Sequence, residues 1–327
     1  MVFAAIKAIE YALPSQVLTN EDLAAEFPDW SVEKIANKTG IHTRHICSEN
    51  ETAADLAIHA AEKLFLHSDL KKDAVDFILF CTQSPDYLLP TTACLIQHRL
   101  GCRTSIGALD INLGCSGYVY GLSLAKALIE TSQAKNILLI TADTYSKYLG
   151  KEDKTVRTIF SDGAAVTWVG TSKENRIFGH AFGTNGAGGK NLIVPNSALR
   201  KNSESSNHLS MNGPEIFKFT LEVVPQVIAQ SLAQANLVLN QIDLFVFHQA
   251  NAYMLEHLRQ KIAIPKEKFL VVLKDVGNTV SSTIPIALKE SAKSGDKKNI
   301  KYVMLVGFGV GYSWAATVVD LTLFYQS

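Results

Sequence analysis

One order of elements, strand–helix–strand–helix–strand, is written twice along this chain of 327 residues. Asp76-Phe77-Ile78-Leu79-Phe80 in the first half has a counterpart in Asp243-Leu244-Phe245-Val246-Phe247. Leu113-Gly114-Cys115 then matches Val276-Gly277-Asn278, and Ala125-Lys126-Ala127-Leu128 matches Ala287-Leu288-Lys289. Lys135-Asn136-Ile137-Leu138-Leu139 matches Asn299-Ile300-Lys301-Tyr302-Val303. Apolar runs this continuous are strands covered on both faces, as in the parallel sheets of α/β proteins. The length also exceeds what one core usually fills. The expected fold is a duplicated α/β unit with halves at 1–172 and 173–327, related by a pseudo-twofold axis. Such an axis brings the turns of Cys115 and Asn278 together, and ligands bind where the carboxyl ends of such strands meet.

Cys115 lies in Asp110-Ile111-Asn112-Leu113-Gly114-Cys115-Ser116-Gly117, between a buried strand expected over Ile106–Asn112 and a helix over Tyr118–Thr131. At a strand-to-helix turn the sulfur is expected to be exposed, beside helix-start N–H groups that favour negative charge. That placement predicts a lowered thiol pKa and a populated thiolate. His248 and Asn278 also end apolar strands. Singly, they read as a hydrogen-bonded structural histidine and a turn asparagine. At equivalent ends of a duplicated fold, the three make a site for thiol chemistry.

Composition narrows the partners. Lys+Arg and Asp+Glu both number 31, so the chain is neutral, which argues against nucleic acid and against a broadly basic membrane face. The 5 cysteines (47, 81, 94, 102, 115) contain no CxxC pair. They read as reduced thiols, with neither a disulfide framework nor a metal site. Lys7, Glu10 and Pro14 interrupt the N-terminal apolar run, so no export signal is expected. No apolar stretch approaches the roughly 18 residues of a membrane span, and a cytoplasmic location is expected.

The remaining pattern predicts a strand at Val2–Tyr11, a helix capped by Thr19 or Asn20, a short helix at Ser31–Lys38 and a helix at Ala53–Leu66. It also predicts a strand pair at Val166–Gly170 and Ile177–Gly183, and a helix at Glu215–Gln234 kinked by Pro225. A further strand is expected at Lys268–Leu273, and a helix at Ser281–Lys293. Asn185–Asn212 has little pattern, and its length suggests an excursion over a site or interface.

From about Ile6 to Asp320 the chain resembles the 3-oxoacyl-(acyl-carrier-protein) synthase III family of thiolase-fold condensing enzymes. The resemblance rests on Thr39-Gly40-Ile41, Gly114-Cys115-Ser116-Gly117, Ser161-Asp162-Gly163-Ala164, Asn212-Gly213, His248-Gln249-Ala250-Asn251, Gly277-Asn278-Thr279 and Gly307-Phe308-Gly309-Val310-Gly311, in that order. It implies a five-layered αβαβα thiolase-like fold, with the cysteine in one half and the histidine and asparagine in the other. It further implies that Cys115 takes an acyl group from a thioester, on coenzyme A or a carrier protein. The backbone N–H groups of Cys115 and Val310 would form the oxyanion hole. His248 and Asn278 would hold the thioester carbonyl of malonyl-acyl carrier protein, whose decarboxylation supplies the attacking carbon. No cofactor or metal is then needed. Lys38, Leu89, Lys218, Gln249, Tyr253 and Phe308 take the positions expected to meet substrate or carrier. A homodimer is implied, joined through strands near Lys135–Ala142, with Leu89-Pro90 closing the other subunit's acyl pocket.

The sequence departs from the family pattern around the expected coenzyme A position. Lys34 falls where a tryptophan often precedes Thr-Gly-Ile, and Trp30 lies four residues earlier. Lys154 stands at the spacing of an expected arginine, with Arg157 nearer the Asp-Gly-Ala turn. Tyr253 replaces a frequent basic residue, and Val310 a frequent glycine. A thiolase is disfavoured because no cysteine follows Cys115. The Gly307–Gly311 run lacks the GxGxxG spacing of a dinucleotide site. Acyl transfer to oxygen or nitrogen, in specialised or surface-polysaccharide biosynthesis, is the nearer alternative, and a non-catalytic dimer partner the one from a different class. Asn278 favours carbon–carbon condensation.

Overall fold

The computed structural model describes residues 1–200, 205–293 and 300–326. The chain begins with β1 (Phe3–Ala12), β2 (Gln16–Thr19), α1 (Asn20–Glu26), α2 (Val32–Thr39) and β3 (Thr43–Ile46). Next come α3 (Ala53–His67), β4 (Phe77–Cys81), α4 (Thr92–Leu100), β5 (Gly107–Ile111), α5 (Gly117–Glu130) and β6 (Asn136–Asp143). A short α6 (Lys154–Arg157), then β7 (Gly163–Ser172) and β8 (Ile177–Thr184), lead to a small ribbon of β9 (Leu192–Ile193) and β10 (Ser210–Met211). The rest comprises α7 (Gly213–Ala235), β11 (Leu244–Phe247), α8 (Ala252–Ile262), α9 (Thr283–Lys293), β12 (Tyr302–Gly309), β13 (Ser313–Asp320) and α10 (Thr322–Gln326).

Two sheets organise these elements. One has the order β1-β7-β6-β4-β5 and the other β11-β12-β13-β8. Read from the opposite edge, the second repeats the first: β8 takes the place of β1, β13 of β7, β12 of β6 and β11 of β4. The first sheet is built from residues up to Ser172 and the second from Ile177 onward. Between them, α5 and α9 bury Tyr118, Leu122, Ile284 and Leu288 against Leu79, Leu139, Val246 and Leu305 of both sheets. The outer face of the first sheet is covered by α3 and α4, and that of the second by α7 and α8. This is a five-layered αβαβα arrangement, and the apolar strand runs are explained by helices on both faces.

Local sequence sets the ends of the helices. Thr19 caps α1 and Thr52 caps α3, each forming a capping box with an aspartate three residues on. Helix α7 runs on through Pro225. Thr39-Gly40-Ile41 ends α2 with Gly40 at φ +73°, and a side chain there would meet the Ala252 Cβ of α8 at 2.3 Å.

Four expectations change. The segments at Val166–Gly170 and Ile177–Gly183 are both strands, but β7 pairs with β1 and β6 while β8 pairs with β13, so they belong to different sheets. The Ile106–Asn112 strand lies at a sheet edge and is half-buried, with Leu109 38% exposed, so a free edge replaces the expected burial. The segment at Lys135–Ala142 forms β6 in the sheet interior, between β7 and β4, and has no free edge for a second subunit. Lys268–Leu273 is no full strand. It makes one bridge, Phe269 to Phe245, because the Gln249 side chain takes the Val272 N–H at 2.7 Å and reaches the Leu270 carbonyl at 3.3 Å. Of the earlier matches, Asn299 lies outside the described residues, as do 201–204 of the Asn185–Asn212 stretch.

Leu122→Ala removes a fully buried side chain from the layer both sheets share. A loss of about 2–5 kcal/mol in unfolding free energy is expected, read as a lower denaturant midpoint.

Candidate active site

One cavity of about 590 Å³ enters between α2, the start of α7 and α8, and reaches Cys115, His248 and Asn278 together. The pseudo-twofold arrangement accounts for the meeting. Cys115 follows β5, His248 follows β11, and Asn278 follows the single bridge that stands in for a strand beside β11. The end of β12 closes the inner wall. A Cβ on Gly307 would lie 2.7 Å from the Cys115 carbonyl oxygen, and one on Gly309 would lie 2.9 Å from the Cys115 sulfur. Only glycine lets this backbone approach so closely. As a result the backbone N–H groups of Val310 and of Cys115 itself both point at the sulfur.

Burial dominates the electrostatics. The Cys115 sulfur is buried, not exposed, with the residue at 5% accessibility. Desolvation, with a smaller contribution from the nearby Asp143 carboxyl, pushes its pKa up to about 12, although both N–H groups oppose the shift. The expectation of a lowered pKa therefore fails: loss of water outweighs the helix start. Desolvation also pulls His248 down to about 3, so the imidazole is neutral. Its Nδ1 lies 2.8 Å from Thr283 Oγ1, and its ring stands edge-on to Phe308 at 5.6 Å. Asn278 donates from Nδ2 to the Ala250 carbonyl at 3.3 Å and accepts the Val280 N–H on Oδ1 at 2.9 Å. One Nδ2 hydrogen stays available.

Behind the sulfur, Asp143 joins the two halves. Its Oδ1 accepts the Gln83 N–H at 2.8 Å, and its Oδ2 accepts from the Ser281 N–H and hydroxyl. Burial raises its pKa to about 7. Gln83 Oε1 in turn accepts from the Tyr145 hydroxyl at 2.6 Å.

The other expected contacts divide. Lys38, Tyr253 and Phe308 line the cavity. Leu89 is 83% exposed and is not part of the cavity lining. Lys218 is exposed and lies outside the cavity lining. Gln249 is corrected from a substrate contact to a brace. It is 1% exposed, and its amide is taken up by the backbone of Phe247, Leu270 and Val272. Asn251 caps α8 through the Met254 N–H, and Asp162 holds the backbone N–H groups of Cys47 and Ser146. Several motif residues thus brace the loops around the cavity.

Sequence spacing misplaced one wall residue. Trp30 lines the cavity although it precedes the expected position, and the amines of Lys34, Lys38 and Lys154 lie 5.4, 4.6 and 5.6 Å from its ring centre. The chain turns over Phe27–Trp30, where the Trp30 N–H donates to the Phe27 carbonyl at 2.9 Å, and Ser31 then caps α2. Leu192 and Met211, from the Asn185–Asn212 excursion, also line the cavity.

Comparison with known proteins decides the family. Sequence models described as 3-oxoacyl-[acyl-carrier-protein (ACP)] synthase III, and as its C-terminal region, match residues 109–186 and 232–321. A beta-ketoacyl-[acyl-carrier-protein] synthase III of Clostridium perfringens is 37% identical over 314 residues, covering 94% of this chain and 96% of the relative. The chain belongs to the 3-oxoacyl-(acyl-carrier-protein) synthase III family. A synthase III of Streptococcus equi is 36% identical across 98% of this chain and 100% of its own length. Among solved structures, a 3-oxoacyl-(acyl-carrier-protein) synthase III superposes with a TM-score of 0.95 at 50% identity, covering 97% of this chain and 99% of that one. The Thermus thermophilus synthase III superposes at 0.90, with 35% identity and coverage of 97% and 98%. The synthase III family and the thiolase-like fold thus agree with the sequence reading.

With its pKa pushed up to about 12, Cys115 stays a thiol at neutral pH. Its alkylation by iodoacetamide, followed on the Cys115 peptide, should rise about tenfold per pH unit with no plateau below pH 9. A plateau near pH 7 would show a thiolate already stabilised without substrate.

Proposed function

We propose that the chain condenses an acyl thioester with malonyl-acyl carrier protein through an acyl-Cys115 intermediate, with loss of carbon dioxide. The observation that carries this is the placement of Cys115, His248 and Asn278 on one cavity, with the Val310 and Cys115 N–H groups aimed at the sulfur.

In the first half-reaction the Cys115 sulfur attacks the thioester carbonyl, and the two N–H groups receive the developing oxyanion. Losing one such donor typically costs about 3 kcal/mol. The donor thiol departs with the proton that Cys115 gives up. In the second, His248 and Asn278 donate to the thioester carbonyl of the malonyl group. Its carboxylate leaves as carbon dioxide, the bonding pair passes into an enolate, and the enolate carbon attacks the acyl-Cys115 carbonyl. The tetrahedral intermediate expels the Cys115 thiolate, which takes a proton from water. A neutral histidine suits this step, because it can donate a hydrogen bond without holding a charge in a desolvated site. Decarboxylation creates the carbanion without a strong base, and among the described residues no paired carboxylates reach the cavity lining.

Lys38, beside Trp30 at the mouth, provides a cation for an anionic carrier group. The proposed enzyme is a cytoplasmic homodimer joined through β5, whose half-exposed edge offers unpaired N–H and C=O groups. Leu109, Phe182 and Leu89 supply exposed apolar surface for that contact.

Intact-mass measurement with acetyl-, octanoyl- and malonyl-thioesters, on coenzyme A and on carrier protein, tests this reading. Wild type should gain one acyl group, Cys115→Ala none, and malonyl-carrier protein should discharge the adduct as a 3-oxoacyl product. Discharge to an alcohol or amine alone would identify an acyltransferase. Failure of every donor would remove the case for Cys115 as a nucleophile.

A further inference from the structure

Asp143, at the end of β6, is fully buried, and its carboxyl is bonded only by neutral donors. Among the described residues no lysine, arginine or histidine pairs with it. The ionisable groups its charge acts on are themselves acids, Cys81, Cys115, Tyr145 and Tyr148, and Asp162 acts on it in turn. A carboxylate taken out of water without a cation is costly. Its charge also opposes the negative charge that must develop at the Cys115 sulfur. For acylation alone, the site would work better without it.

What the two oxygens hold supplies the reason. Oδ1 accepts the Gln83 N–H at 2.8 Å, and the Gln83 side chain lies against the cysteine turn, where a Cβ on Gly114 would meet its Oε1 at 2.5 Å. Oδ2 accepts the Ser281 N–H at 3.3 Å and the Ser281 hydroxyl. Three donors from two loops converge here, and a carboxylate offers two acceptor oxygens with no hydrogen of its own. The Ser281 bonds bear on Asn278. Val280 lies between the two at φ +55°, which is rare for a β-branched residue and persists where neighbours over-determine it. Its N–H donates to Asn278 Oδ1 at 2.9 Å and so orients the asparagine amide. The peptide that follows is gripped at both ends: its carbonyl accepts from Thr283 Oγ1 at 3.1 Å, and its N–H, that of Ser281, goes to Asp143. The same strand holds the next residue, with Thr141 Oγ1 2.9 Å from Ser282 Oγ. The end of β6, in one half, thus fixes the Asn278 turn of the other.

We propose that Asp143 is a positioning residue whose carboxylate locks the Asn278 turn to the cysteine turn for condensation, while its charge slows acylation of Cys115. This rests on the condensation reading. It goes beyond it by giving one buried side chain opposite effects on the two half-reactions. A residue that merely supported the fold would, when replaced, lower both.

The test uses the full-length protein at pH 8, above the Asp143 pKa of about 7, so that the wild-type carboxyl is charged. Asp143→Asn keeps the shape, removes the charge and sets an amide N–H against one of the backbone donors. Ser281→Ala removes one donor and keeps the charge. Alkylation by iodoacetamide and acylation by intact mass report on the Cys115 sulfur, release of the 3-oxoacyl product reports on condensation, and Tm reports on the fold. Asp143→Asn should alkylate and acylate about three- to tenfold faster, the scale of half a unit to one unit of thiol pKa. Its condensation kcat should fall roughly 10²-fold, as for a misplaced catalytic group. Ser281→Ala should acylate near the wild-type rate and lose about tenfold in condensation, the scale of one hydrogen bond to a charged group. Slower alkylation by Asp143→Asn at an unchanged Tm, or wild-type condensation by both variants, overturns the proposal. So does parallel loss of acylation and condensation with a lowered Tm in both, which would make the carboxyl a structural support. If wild type itself acylates but does not condense, the condensation reading fails instead, and the alkylation rates still decide whether Asp143 restrains the sulfur.

Discussion

Two backbone segments meet at the Cys115 sulfur with no side chain between them. The end of β12 lies so close to the cysteine turn that a methyl group on Gly307 or Gly309 would overlap it. Most of the site follows from this contact. It aims the Val310 N–H at the sulfur, turns Phe308 toward His248 and shuts water out from behind. Since β12 belongs to one sheet and the cysteine turn to the other, the site exists only where the two halves are packed together.

The same packing determines the charge states. A thiol beside a helix start would ordinarily ionise more easily, and a histidine near neutral pH would be partly protonated. Burial reverses both tendencies, so the site rests with a neutral thiol and a neutral imidazole. On the proposed mechanism charge develops only when substrate arrives, into donors already in place. That is the arrangement in which preorganised dipoles have their largest effect.

Much of this was legible from the residues. The doubled strand runs at Asp76–Phe80 and Asp243–Phe247 announced two equivalent sheets, because only strands covered on both faces stay apolar at every position. The turns after them placed Cys115, His248 and Asn278 at one location. What escaped depends on partners far apart in sequence. Nothing local distinguishes β6 as interior and β5 as edge, since both carry apolar residues. Gln249, within a motif, looked like a substrate contact, yet its amide replaces a missing strand pairing with Leu270 and Val272. The sign of the Cys115 shift required knowing that Gly307 and Gly309 seal the turn, and Trp30 reaches the cavity through the turn over Phe27–Trp30.

The layer of α5 and α9 has a consequence for how substrate enters. Because both sheets bury side chains into those helices, the halves share one continuous core and lack the sparse linker about which two domains can hinge. A cavity at such a seam cannot clamp shut around its ligand in the manner of a two-lobed binding protein. Access has to be by threading, with an elongated substrate arm passed down a fixed shaft. Any selection among arms falls to the fixed walls, which include Trp30, Tyr253, Leu192 and Met211.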